Sequence, residues 1–224
     1  MRISILVSIF FLFLLSCDSI DFSNQPQGVL EYNVVYLSNK SSMPTNLLPK
    51  KVILKFKAHK SITTIEGFMG MFSLSNLCDL RKQTNTMMLK VMDNKYYYAG
   101  DKYEPPFYFD DLKNFEITLI DETKLIAGLT CKKALVSFTD TLKPPFEIYY
   151  TNQLNIKNVN KSNPFNNING LLMQFNIRIS NIEMQLTANK YKPDKVSDDI
   201  FDVSKNYKKV SREKMSGVIN KLLE

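Results

Sequence analysis

The feature that most constrains this fold is a period of two in hydrophobicity, which runs from Gly28 through most of the chain. In each of several segments, the residues at alternate positions are apolar and those between them are more polar, so one parity (odd or even positions) is apolar. The apolar parity comprises Leu30, Tyr32, Val34 and Tyr36; Val52, Leu54 and Phe56; Ala134, Val136 and Phe138; Phe146, Ile148 and Tyr150; Leu171, Met173, Phe175 and Ile177; and Ile182, Met184, Leu186 and Ala188. Successive side chains of a strand point to opposite faces, so this alternation predicts antiparallel strands with one dry and one wet face.

The remaining segments complete a mainly β prediction. Further strands are expected over 61–68, 70–76, 86–92, 95–99 and 115–120, which makes about ten strands joined by short polar turns. Asp93-Asn94 is predicted as a tight hairpin turn, and Gly128 as a bend before a core strand. One helix is predicted over 211–223, with Ser211 as its N-cap. We therefore expect one domain over 28–224, a strongly curved or closed antiparallel sheet with short helices and a C-terminal helix.

The N-terminus has the pattern of a bacterial lipoprotein signal. Arg2 precedes an apolar run from Ile3 to Leu15, and Ser16 stands directly before Cys17. The run is shorter than the roughly 20 residues that a spanning helix needs. We predict a signal peptide over 1–16, lipidation of Cys17 and a polar tether over 17–27. The alternative is an ordinary secretory signal in which Cys17 is incidental.

The localisation that this signal predicts is the cell envelope. The lipid on Cys17 would be the membrane attachment, and we expect the outer membrane, with the facing left open. About 208 residues follow the signal, enough for one domain with a sizeable core. The formal net charge of +7 is modest for 224 residues, and RNP, zinc-finger and helix-turn-helix patterns are lacking, so a nucleic-acid partner is not expected.

The sequence holds few residues typical of catalysis. His59 is the single histidine, so a multi-histidine metal site is excluded, and no Gly-rich phosphate loop or Gly-x-Ser-x-Gly motif occurs. The acidic pairs 110–111, 121–122 and 198–199 are interpreted as solvated turns rather than as a glycosidase pair. We expect no catalytic residue, no metal and no cofactor.

Two cysteines remain once Cys17 is lipidated. An exported compartment permits a disulfide between Cys78 and Cys131, which would close a loop of about 53 residues. Inert buried thiols are the alternative, and the sequence does not decide between them.

The apolar parities also suggest a ligand surface. The strands over 171–177 and 182–188 should face inward together, joined by the strand over 146–150. The lining we predict comprises Phe146, Ile148, Tyr150, Met173, Phe175, Ile177, Ile182, Met184 and Leu186. If the sheet is half-open, these side chains border a groove for an acyl chain; if it is filled, they are ordinary core.

Three stretches resemble a known group of exported proteins. The first is the segment 123–134, Thr-Lys-Leu-Ile-Ala-Gly-Leu-Thr-Cys-Lys-Lys-Ala; the second is 147–151 followed by 168–175; the third is 184–188 followed by 201–203 and 207–210. In their order and spacing they resemble the GLPGLI type of envelope proteins, which are similar to the LolA/LolB-like lipoprotein carriers. The resemblance implies an incomplete barrel with short helices or loops at its mouth, and it carries over no catalytic residue.

Together these patterns predict a lipid-anchored, non-enzymatic envelope protein that binds an acyl chain or another hydrophobic ligand. The first alternative is a structural or protein-interaction lipoprotein with a packed core and no small-molecule ligand. The second is an enzyme whose site the sequence does not reveal.

Replacing Cys17 with alanine should abolish lipidation, because the thiol is the atom that the diacylglyceryl group would modify. Metabolic labelling with a fatty-acid analogue, followed by isolation of the protein, measures this directly. Label retained in the Cys17→Ala protein would contradict the predicted anchor and leave the ordinary secretory signal.

Overall fold

The computed structural model describes residues 26–67, 70–156 and 159–224. The predicted signal peptide, Cys17 and most of the tether lie outside the described residues. Strand pairing is present from Gln27, which pairs with Lys57, and the carbonyl of Pro26 accepts a hydrogen bond from the Ala58 N–H at 2.8 Å.

In the part of the chain that the structure describes, twelve strands and one helix form the domain. The strands are β1 (Gln27–Asn39), β2 (Lys51–Lys57), β3 (Lys60–Gly67), β4 (Phe72–Asp79), β5 (Thr84–Val91), β6 (Asn94–Ala99), β7 (Phe115–Ile126), β8 (Leu129–Phe138), β9 (Phe146–Thr151), β10 (Leu171–Ile179), β11 (Ile182–Lys192) and β12 (Lys208–Lys209). The helix is α1 (Arg212–Leu223), and short 3₁₀ turns span Thr45–Leu47, Phe107–Phe109 and Asp199–Phe201. The mainly β prediction with a C-terminal helix is confirmed.

The twelve strands form one open sheet with the order β12-β6-β5-β4-β3-β2-β1-β11-β10-β9-β8-β7. Neighbouring strands are antiparallel except β12, which pairs parallel to β6. The first strand therefore lies in the middle of the sheet, between two meanders. The order of the strands in the sheet therefore differs from their order along the chain.

The sheet curls at its β7 end. Cα atoms of β7 and β11 come within 8 Å of each other, although the two strands lie four places apart in the sheet order. In a flat sheet that separation would be about 19 Å, because neighbouring strands lie 4.7–4.9 Å apart. β1, β7 and β10 each contain a register shift, a feature that bends and twists strands.

The predicted apolar parities face the core. Leu30, Tyr32, Val52, Leu54 and Phe56 are buried on β1 and β2. On β11 the predicted inward residues are buried and the opposite parity is partly exposed. β10 departs from the alternation, because every residue from Leu171 to Ile177 is buried. Both faces of this strand are therefore covered.

Helix α1 packs on the domain as its sequence predicts. The Ser211 side chain accepts a hydrogen bond from the Lys214 N–H at 3.2 Å, and Met215, Ile219 and Leu223 are buried. Arg212 forms ion pairs with Glu104 and with Asp110. Within the described ranges, no helix has the length and apolarity needed to cross a bilayer.

Hairpin turns of the sheet use left-handed backbone, among them the β5–β6 turn with Met92 at φ +52° and the β7–β8 turn. The β5–β6 turn consists of Met92-Asp93, because Val91 pairs with Asn94, so the predicted Asp93-Asn94 turn is shifted by one residue. The β7–β8 turn consists of Ala127 (φ +50°) and Gly128 (φ +80°), and positive φ at both central residues is typical of a type I′ hairpin turn.

Two glycine replacements should change stability in opposite directions. Gly128→Ala should lower the free energy of unfolding by about 1 kcal/mol, because a Cβ disfavours left-handed backbone. Gly217→Ala should raise it by up to about 1 kcal/mol, because Gly217 lies inside α1 with open space around the added Cβ. Chemical denaturation of both variants measures the difference, and a neutral Gly128→Ala would contradict the left-handed turn.

Candidate functional site

The residues predicted to line a ligand groove lie in the packed interior. Ile148, Tyr150, Met173, Phe175, Ile177, Ile182, Met184 and Leu186 are buried, and Phe146 is half-buried against the same core. The expected inward parity is correct for these strands. An open groove along them does not form.

Side chains from outside the sheet fill its inner face. The turn at Phe107–Phe109 packs there, since the Phe109 ring lies 5.4 Å from the Phe165 ring and 6.4 Å from the Phe175 ring, measured between centroids. Phe165 comes from the loop between β9 and β10 and is fully buried, as is Met215 of α1. These groups turn the predicted groove into a core.

Three buried asparagines hold the covering segments in place. Asn76 on β4 donates from Nδ2 to Asn85 Oδ1 at 2.9 Å, and Asn85 Nδ2 donates to the carbonyls of Glu104 and Ser162 at 2.9 and 2.8 Å. Asn160 Nδ2 donates to two further carbonyls within the same loop, at 2.8 Å each. Buried hydrogen bonds thus hold the cover in place.

A cavity of about 100 Å³ remains beneath this cover. Phe175, Ile177 and Leu186 of the predicted lining border it, together with Asn76, whose Oδ1 has no hydrogen-bond partner among the described residues. A dry protein cavity of roughly 150 Å³ accommodates benzene. The cavity is therefore too small for an acyl chain.

A larger cleft of about 550 Å³ opens where β9 and β10 separate. The two strands pair at Leu171↔Thr151, Leu172↔Tyr150 and Gln174↔Tyr149, with a register shift after Leu172. Beyond Gln174 the strands share no further ladder pair, although β9 begins at Phe146 and β10 continues to Ile179. The cleft occupies this separation.

The cleft is lined by apolar and polar side chains in equal number. The apolar side chains are Leu37, Tyr108, Leu112, Phe138, Pro144, Pro145, Phe146 and Ile177, and the polar ones are Asp111, Lys143, Glu147, Gln174, Asn176, Arg178, Glu183 and Gln185. Only Phe146 and Ile177 belong to the predicted lining. Gln174, Asn176 and Gln185 lie on the polar parity of adjacent strands, a signal that the sequence contains but that alone indicates a solvated face.

The charged groups of the cleft are bound to one another. Arg178 forms ion pairs with Asp111 and Glu183, each at 2.9 Å, and Lys143 Nζ donates to the carbonyl of Asp111 at 3.2 Å. Glu147 pairs with Lys133 at 2.8 Å. The side chains left to recognise a ligand are thus mainly amides and apolar groups.

The acidic pairs are largely engaged in structure. Asp110 and Asp111 pair with Arg212 and Arg178, and Asp198 pairs with Lys57. Glu122 lies in the register shift of β7, where the Lys133 ammonium and the Tyr149 hydroxyl donate to it and lower its pKa. The pair 121–122 therefore belongs to a strand bulge, not to the solvated turn that was expected.

Cys78 and Cys131 are free, buried thiols, so the disulfide that the sequence left open does not form in this structure. Burial raises the pKa of Cys78 to about 12 and that of Cys131 to about 11. Both therefore stay protonated near neutral pH, whereas the thiolate is the nucleophilic form. Cys131 Sγ lies 3.4 Å from the Leu129 carbonyl, to which it donates.

His59 lies in the turn between β2 and β3, and its partial burial lowers its pKa. Among residues 26–67, 70–156 and 159–224, no three histidine, cysteine, aspartate or glutamate side chains are grouped to hold a metal ion.

Comparison with solved structures shows a likeness of fold. The fold is similar to that of PNGF-II, with a TM-score of 0.55 and 16% sequence identity, over 87% of this chain and 33% of the PNGF-II chain. This chain thus spans about a third of the PNGF-II chain. No family model and no curated protein matches the sequence. At this identity the likeness concerns the fold alone.

Charges placed at buried positions of the predicted groove lining should unfold the protein. Met173→Lys and Met184→Lys would each bury an unpaired ammonium, which costs several kcal/mol. Gln185→Lys is the matched control, because Gln185 neighbours Met184 but points into the open cleft. Circular dichroism and thermal unfolding measure the outcome. If both methionine variants fold, the packed core is contradicted and an open groove along these strands is favoured.

Proposed function

We propose that this chain is a lipid-anchored, non-enzymatic binding protein of the cell envelope, and that it binds its partner in the cleft between β9 and β10. The observation that carries the proposal is the contrast between the two spaces. The cleft measures about 550 Å³, within the range of about 300–1,000 Å³ for ligand sites, while the covered inner face retains about 100 Å³.

The filled inner face favours an interaction protein over an acyl-chain carrier. A carrier needs an apolar groove as long as its lipid, and Phe109, Phe165 and Met215 occupy that space. The lining of the cleft instead includes amides and ion-paired groups, which suit a ligand that also has polar groups.

The envelope address rests on the N-terminus. The run Ile3–Leu15 with Ser16-Cys17 supports a lipid anchor, and the likeness to GLPGLI-type and LolA/LolB-like proteins agrees with an exported β domain that is a half-open barrel. Folds of this kind serve many functions, so the similarity to PNGF-II adds no activity.

Two observations support a binding role without catalysis. The acidic side chains of the cleft are held in ion pairs, and burial raises the pKa of both thiols well above neutrality. Neither arrangement resembles an activated nucleophile beside a base.

Native mass spectrometry of the protein released from its own membrane in mild detergent tests this function. We expect a polypeptide adduct that is non-covalent and that Phe146→Ala loses. Phe115→Ala is the matched control, because Phe115 and Phe146 are both half-buried and both contact Phe165, while only Phe146 lines the cleft.

Equal adducts in the wild type and in both variants would place the binding elsewhere and contradict the proposal. A wild type with no adduct would also contradict it. A fatty acid or phospholipid as the adduct would favour the acyl-carrier alternative instead.

A further inference from the structure

The cleft is bordered by the edges of β9 and β10 over the stretch where the two strands no longer pair with each other. β9 is held on its far side by β8, with Val136 opposite Phe146, and β10 is held on its far side by β11, with Ile179 opposite Ile182. Between them the ladder ends at Gln174↔Tyr149. Each strand therefore stays extended while one edge turns toward the cleft, and such an edge is a template for another strand.

The free edge is longer on β10 than on β9. Residues 175–179 of β10 continue past the last shared pair, against 146–148 of β9. Since β9 and β10 are antiparallel to each other, an inserted strand runs antiparallel to only one of them. Pairing along β10 uses the longer edge, which extends about 16 Å at 3.3 Å per residue.

The lining of the cleft suits the alternation of a strand. Tyr108, Phe138 and Phe146 present aromatic surface, whereas Gln174, Asn176 and Gln185 present amides. Gln185 Nε2 donates to Asn176 Oδ1 at 3.3 Å, which orders these two amides. A strand directs successive side chains to opposite faces, so a strand of alternating apolar and polar residues would offer partners to both kinds of lining side chain.

The charged side chains of the cleft limit the charge that its ligand can carry. Arg178 is bound by two carboxylates, and Lys143 donates to a carbonyl. An ionic partner would have to displace these contacts, so a ligand without clustered charge fits best.

We propose, on the basis of the function above, that the ligand of the cleft is an extended polypeptide segment of alternating apolar and polar residues. It adds as a strand antiparallel to residues 175–179 of β10. Main-chain hydrogen bonds provide affinity, and the aromatic side chains Tyr108, Phe138 and Phe146 select the apolar side chains.

The outer edge of the sheet at β7 is the competing position, and it is protected. A register shift between Ile120 and Thr123 interrupts its pairing, and the charged residues Glu116, Asp121, Glu122 and Lys124 lie along it. Bulges and charges are the common means by which an edge resists strand addition. Leu119 and Leu125 are nevertheless exposed there, so the test must separate the two edges.

The probe is a capped synthetic peptide, Lys-Thr-Val-Thr-Phe-Thr-Val-Thr-Lys, added to the isotope-labelled protein. Amide hydrogen exchange by NMR should slow about tenfold or more within residues 175–179, and the amides of β7 should be unchanged. The same peptide N-methylated at alternate residues should bind about tenfold more weakly, because it lacks the donors of one edge.

Phe146→Ala should weaken binding of the unmodified peptide about tenfold, and Phe115→Ala should change it less than about threefold. Should Phe146→Ala fail to fold, the N-methylated peptide still tests the backbone pairing in the wild type.

Protection on residues 115–126 would overturn the inference by placing the peptide on β7. Equal affinity of the N-methylated peptide would overturn strand addition. If the peptide does not bind while the native adduct is lost in Phe146→Ala, strand addition is wrong and the proposed function stands. If the native adduct is insensitive to Phe146→Ala, the proposed function itself fails.

Discussion

The pairing of β1 with β11 is the contact on which the rest of the structure depends. It joins residues more than 140 positions apart, from Val29↔Lys192 to Asn39↔Ile182, and it unites two antiparallel meanders into one sheet. Closing so long a loop costs conformational entropy, so the pair must be supported by burial on the inner face. Leu30 and Leu186 are both buried there. Tyr32 reinforces the junction, since its hydroxyl donates to the Leu172 carbonyl at 2.8 Å and its ring meets Phe175 edge-on at 5.8 Å.

Once the sheet is joined and curled, its inner face needs a cover. The aromatic turn at Phe107–Phe109, the loop residue Phe165 and helix α1 provide it. Backbone carbonyls of the adjoining loops, those of Glu104, Ser162 and Ile168, accept hydrogen bonds from buried asparagines, because an unpaired polar group in the interior would be costly. The cover explains why methionine and aromatic side chains that could line a hydrophobic groove instead act as packing groups.

The cleft is a consequence of the same curvature. Past the pair Gln174↔Tyr149, β10 stays with β11 while β9 stays with β8, and the ladder between them ends. In a regular sheet the facing edges of the two strands would hydrogen-bond to each other; here they border a cleft of about 550 Å³. The unpaired edges of β9 and β10 are thus available for strand addition, whereas the register shift and charges of β7 oppose it at the outer edge.

The sequence alone determined the local structure. Period-two patterning identified most strands and the inward parity of Met173, Phe175, Met184 and Leu186, because burying one face of a strand requires that pattern. Ser211 marked the start of α1 for the same kind of local reason, a side-chain acceptor for an unpaired N–H.

The tertiary structure decided what those faces meet. The central position of β1, the filling of the groove, the separation of β9 from β10 and the free thiols of Cys78 and Cys131 depend on contacts between distant segments. Gln174, Asn176 and Gln185 have the pattern of a wet face whether they meet bulk water or a cleft. Alternation states which side of a strand is buried, but the neighbour that buries it is set by register and curvature, which only the assembled sheet possesses.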